Sequence, residues 1–84
     1  MEWDITNVQV TGPHSLFVQF RDGVRGEMKF EPSFFRSVFA PLIDPQVFAA
    51  VRMEDGVVTW QGELDLAPDA MHDEIKRNGC WIVA

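Results

Sequence analysis

The sequence contains no tyrosine and a single cysteine. Cys80 therefore cannot form an intramolecular disulfide, and a Cys-rich metal site is excluded. A free thiol is the expected state in a reducing cytoplasm, which is the location this sequence implies. Positive charge is also scarce: seven Lys and Arg stand against thirteen Asp and Glu, for a formal net charge of −6. Nucleic-acid binders rely on a basic stripe to displace phosphate counterions, so the overall field opposes that class. Arg21, Arg25 and Lys29 form the one local basic set. No apolar run approaches the roughly 18 residues of a membrane span, so no membrane association is expected. Glu2, Asp4 and Asn7 interrupt the region where a signal peptide carries its apolar stretch. P-loop, Rossmann Gly-rich and nucleophile-elbow patterns are missing as well.

Aromatic residues, by contrast, are plentiful. Seven Phe and three Trp in 84 residues, within a 46% apolar composition, can build the dense core that so short a single domain requires. Each buried aromatic removes roughly 150–250 Å² from water, worth several kcal/mol at about 25 cal/mol per Å² before entropy is subtracted. The acidic surface keeps the domain soluble or suits a basic protein partner.

Read in order, residues 3–10 form a first strand. There Val8 and Val10 fall out of alternation with Ile5, which predicts a bulge. Pro13 ends the pairing in the turn Thr11-Gly12-Pro13-His14. Ser15–Phe20 alternates cleanly, with Leu16, Val18 and Phe20 on one face and Phe17 on the other. Arg21-Asp22-Gly23 closes a hairpin onto a strand from Val24 to Phe30, because Asp-Gly supplies the positive φ of tight turns. Ser33 is placed to cap a helix whose apolar face is Phe34, Phe35, Val38, Phe39 and Leu42, with Pro41 ending its regular part. Asp44-Pro45 starts a second short helix carrying Val47, Phe48 and Val51. A second hairpin, residues 51–54 and 57–60, turns on Asp55-Gly56 and ends on Trp60; Gln61-Gly62 makes a further turn before Leu64 and Leu66. Pro68 opens the last helix, which has Asp69 in its first turn, Lys76 and Arg77 in its last, a stripe of Met71 and Ile75, and Asn78-Gly79 as its stop. The apolar tail, residues 80–84, either covers the domain's own sheet or pairs with another chain, including a second copy in a homodimer. The expected class is α+β: a small, mainly antiparallel sheet built from two hairpins and an N-terminal strand, packed against two or three short helices.

No residue is assigned to catalysis, to a cofactor or to a metal. His72 and Glu74 lie two apart on a helix, so their side chains diverge and cannot share an ion with Cys80. A nucleophilic Cys80 paired with His14 or His72 lacks an evident orienting group, and a helix C-terminus raises a thiol pKa. The carboxylate pairs Glu54/Asp55, Glu63/Asp65 and Asp69/Asp73 read as solvated surface acids. Asp65, between Leu64 and Leu66, either fixes the local turn by a hydrogen bond or contacts a partner. Trp81, Ile82 and Phe17 are the apolar residues best suited to a protein interface.

Four groups of residues carry a family resemblance: Phe20-Arg21-Asp22-Gly23; Phe34, Phe39 and Leu42; Phe48 with Val51; and Trp60 followed by Asp65-Leu66-Ala67-Pro68. With them the chain resembles the bacterial family described as domain of unknown function 2442, over residues 3–75. Members often have Pro-Asn-Gly after the Trp and Asp-Leu-Asp-Pro before the helix. Here Gln61-Gly62-Glu63 and Ala67 depart from that pattern. The resemblance implies an α+β fold and no established catalytic residue. Some members carry a helix-turn-helix after this module, which these 84 residues do not contain. Others are similar to antitoxin-like partners of a small protein of unknown function, family 4160, in proposed two-gene pairs. The expected role is a non-enzymatic protein-interaction module with a basic partner. A regulatory module on nucleic acid, through Arg21, Arg25 and Lys29, is the alternative, and a small enzyme ranks below both.

Overall fold

The tight Asp-Gly turns set the architecture. The computed structural model describes residues 4–60 and 64–84. The expected strand start at Trp3 and the turn Gln61-Gly62-Glu63 lie outside the described residues. Strand β1 (Ile5–Gly12) pairs antiparallel with β2 (Ser15–Phe20), which pairs antiparallel with β3 (Arg25–Phe30). The β1 register shifts between Ile5 and Asn7 and again between Val10 and Gly12, in line with the broken alternation. Between β2 and β3, Gly23 adopts φ 92°, and Asp22 Oδ1 accepts the Val24 N–H at 3.0 Å.

The amphipathic helix expected over residues 34–42 does not form. Two 3-10 segments, Pro32–Phe34 and Ser37–Ile43, take its place, and Ser33 caps neither. Ser37, at φ 55°, breaks the spiral between them. Phe34, Phe35 and Leu42 are buried, but Val38 is 62% exposed and so is not part of the core. The physical reason is that the two adjacent Phe rings pack in different directions. Phe34 meets Phe30 at 4.9 Å between ring centroids, while Phe35 stacks on His14 at 4.5 Å. Tertiary packing thus overrides helical spacing.

Helix α1 (Pro45–Phe48) is capped as expected by Asp44, whose Oδ1 accepts the Gln46 N–H at 2.9 Å. Strands β4 (Arg52–Glu54) and β5 (Val57–Trp60) form the second hairpin. Its turn residues Asp55 and Gly56 both take positive φ, 51° and 76°, as a type I′ turn demands. A two-residue strand β6 (Leu64–Asp65) pairs antiparallel with β5. Helix α2 (Pro68–Asn78) buries Met71 and Ile75 and ends at Gly79, whose φ of 79° lets its N–H reach the Ile75 carbonyl at 2.7 Å. The tail forms β7 (Cys80–Val83), parallel to β3.

The α+β class holds, but the two hairpins lie in separate sheets: β1-β2-β3-β7 and β4-β5-β6. The sheets meet where Ile5 donates its N–H to the Gly56 carbonyl at 2.9 Å, and through the aromatic core. Trp60, fully buried, donates its Nε1–H to the Phe48 carbonyl at 2.8 Å. The Phe30 ring from the first sheet packs edge-on against Phe48 at 5.2 Å and Trp60 at 6.3 Å.

Helix α2 approaches β3 closely because Gly26 has no side chain. A Cβ there would overlap the Gly79 carbonyl oxygen and lie 2.7 Å from Ile75 Cγ2. Gly26→Ala is expected to destabilise the fold by about 1–3 kcal/mol, the usual range for overpacking, measured by urea denaturation. Gly23→Ala, with open space around its Cβ, tests φ strain alone and serves as the comparison.

Candidate functional site

Strand β7 is at the edge of its sheet, hydrogen-bonded to β3 alone among the described strands. Its register sets the direction of each side chain. Trp81 is level with buried Met28, and Val83 with buried Phe30, so both face the core side. Cys80 and Ile82 face the opposite, outward side, level with Glu27 and Lys29. Phe17 shares that outward face, two strands away and opposite Glu27. Ile82 is 56% exposed, and Trp81 is half-buried against the core.

The four residues expected at an interface are therefore only partly brought together. Phe17 and Ile82 share the outward face, with the Lys29–Glu27 ion pair (3.8 Å) in the strand between them. Trp81 points to the other face. Asp65 sits in the second sheet, where its Oδ1 accepts the hydroxyl of buried Thr59 at 2.5 Å and ties β6 to β5.

Beneath the β7 edge, the last turns of α2 and the strand enclose a cleft of about 300 Å³ lined by Glu74, Asn78, Cys80, Trp81 and Ile82. The Asn78 amide donates to Glu74 Oε2 at 3.2 Å. Arg77, on the same helix, is bound to Asp73 at 2.7 Å. A second, apolar cleft of about 480 Å³ beside Trp60 is lined by Pro41, Leu42, Val47 and Leu64, with Asp44 at its rim.

The chemistry-bearing residues are dispersed. Among the described residues no three His, Cys, Asp or Glu side chains converge as metal ligands. His14 donates from Nε2 to the Ile43 carbonyl at 2.7 Å and packs on Phe35 and Phe48. Of the basic set, Arg21 pairs with Asp4 at 3.6 Å and Lys29 with Glu27, so acids interleave with the cations.

A family model described as "Protein of unknown function (DUF2442)" matches residues 5–77. The chain belongs to this family. No curated protein and no solved structure matches it. The family match ends within α2, so Phe17 and Asp65 lie inside it and the β7 edge lies just after it.

One contact escaped the sequence reading. His72 Nε2 lies 2.7 Å from Asp22 Oδ2, with its ring edge-on to Phe20 at 4.9 Å. This joins α2 to the first hairpin turn across fifty residues of sequence, and no local pattern marks it. The Val24 N–H, the His72 hydrogen bond and the nearby positive charge of Lys76 hold the Asp22 carboxyl below its ordinary value of 3.8. A lowered carboxyl pKa stabilises the fold above the unfolded value, and that contribution disappears as pH falls through the folded value. Wild type is thus expected to exceed Asp22→Asn in stability near pH 6. The difference should shrink as pH falls below 3.8, as read by urea denaturation at a series of pH values.

Proposed function

We propose that this protein is a non-enzymatic protein-interaction module that uses its β7 edge to hold a basic partner, as the antitoxin-like member of a two-gene pair. The observation that carries the reading is the edge itself: a strand paired with β3 alone among the described strands, exposed Ile82, and a cleft beside it that holds a carboxylate. An open strand edge is a template for pairing with another chain. The net charge of −6 suits a basic partner and speeds its encounter at low salt.

Co-expression with the products of the genes flanking its own, followed by size-exclusion chromatography, tests the reading. A stoichiometric complex is expected. It should weaken by about tenfold in Ile82→Lys, since loss of one central apolar contact and gain of a like charge together exceed about 1.4 kcal/mol. It should also weaken as salt screens the charges. Failure of every flanking product to associate overturns the reading.

A further inference from the structure

We infer that the β7 edge and the α2 cleft together form a recognition site for an extended segment in which a Lys or Arg stands between two apolar residues. The inference rests on the interaction reading above and specifies its ligand. Three observations converge on it. Among the described strands β7 pairs with β3 alone, in parallel, so its other side offers the backbone groups that an added strand uses. Val83 sends its carbonyl to the Glu31 N–H at 2.8 Å, toward β3. Backbone groups alternate in direction along a strand, so those of Ile82 point outward, to the open side.

Side-chain direction then dictates what the added strand carries. A residue opposite Trp81 projects to the core side, toward the part of the cleft that Trp81 and Glu74 line; Cys80 and Ile82 line it at the strand edge. Its neighbours in the strand project to the outward side, beside Cys80 and Ile82. The cleft pairs an indole with a carboxylate. A cation there lies beside the Trp81 indole and the Glu74 carboxylate, a combination that selects Lys or Arg. Glu74 is available for this: among the described residues its one polar contact is the Asn78 amide, while Arg77 is already bound to Asp73. The neighbouring positions meet Cys80 and Ile82, both exposed, so apolar residues fit there.

A second copy of this chain is the weaker occupant. Each copy carries −6, and two β7 edges paired about a two-fold axis would bring both Glu74 side chains to the same junction.

The test uses three capped peptides, Thr-Val-Arg-Val-Thr and its counterparts with Glu or Gln at the centre, titrated into the full chain while backbone amide and indole shifts are followed by NMR. The Arg peptide is expected to shift residues 74–83 and to bind at least about tenfold tighter than the Glu peptide, the size of one charge-assisted contact. Glu74→Gln removes that preference. Ile82→Pro, which deletes an outward N–H, abolishes binding; its fold is checked by the dispersion of the remaining amide signals. Equal affinity for the Arg and Glu peptides, or shifts centred elsewhere, overturns the inference. So does an Arg-peptide affinity unchanged by Glu74→Gln, a readout that holds even if Ile82→Pro does not fold. Concentration-dependent dimers that the Arg peptide cannot dissolve overturn it in favour of a second copy. If a flanking gene product binds and is weakened by Ile82→Lys and Ile82→Pro but is indifferent to Glu74→Gln, the cation site fails while the β7-edge interaction reading stands.

Discussion

The hydrogen bond from the Trp60 indole to the Phe48 carbonyl is the contact on which both halves of the domain depend. Phe48 ends a one-turn helix, and Trp60 ends the second hairpin. Their bond fixes the small sheet against the segment that precedes it, and both rings then receive Phe30 from the larger sheet. An indole N–H is costly to bury without an acceptor, so a buried Trp specifies position as well as supplying apolar area. The carbonyl of Phe48, at a helix end, accepts both the Val51 N–H at 3.2 Å and the indole N–H.

That hub explains why the two hairpins do not merge into one sheet. The aromatic cluster fills the space between them, and among the described residues the start of β1 reaches across, to the Gly56 carbonyl. The edge of the larger sheet next to β3 is then closed by β7, which α2 delivers parallel to β3. The delivery relies on the close approach of Gly26 to the end of α2. The interaction site proposed for the chain is thus a by-product of core packing. The strand is held on its inner side, no described strand pairs with its outer side, and Ile82 is exposed.

Much of the local structure was legible in the residues. Asp22-Gly23 and Asp55-Gly56 mark turns because few other residues tolerate positive φ. Asp44, Pro45, Pro68 and Gly79 mark helix ends because of caps, fixed φ and left-handed geometry. The segment over residues 34–42 departs from the helix its spacing predicts because periodicity records only which residues are apolar. It does not record that Phe34 and Phe35 serve different neighbours. The site was legible in part: Ile82 and Trp81 stood out as apolar residues in a tail, but Glu74 did not, since its meaning comes from the cleft it shares with them.

The sequence alone determined the α+β class, the Asp-Gly turns, the start of α1, both ends of α2 and the acidic, aromatic-rich character, because these follow from single-residue conformational limits. Tertiary structure alone decided how the strands divide between two sheets, which partner β7 takes and which faces Trp81 and Ile82 present. It also decided that His72 meets Asp22. Those are contacts between residues far apart in the chain, selected by how the aromatic core closes, and no short stretch of sequence contains them.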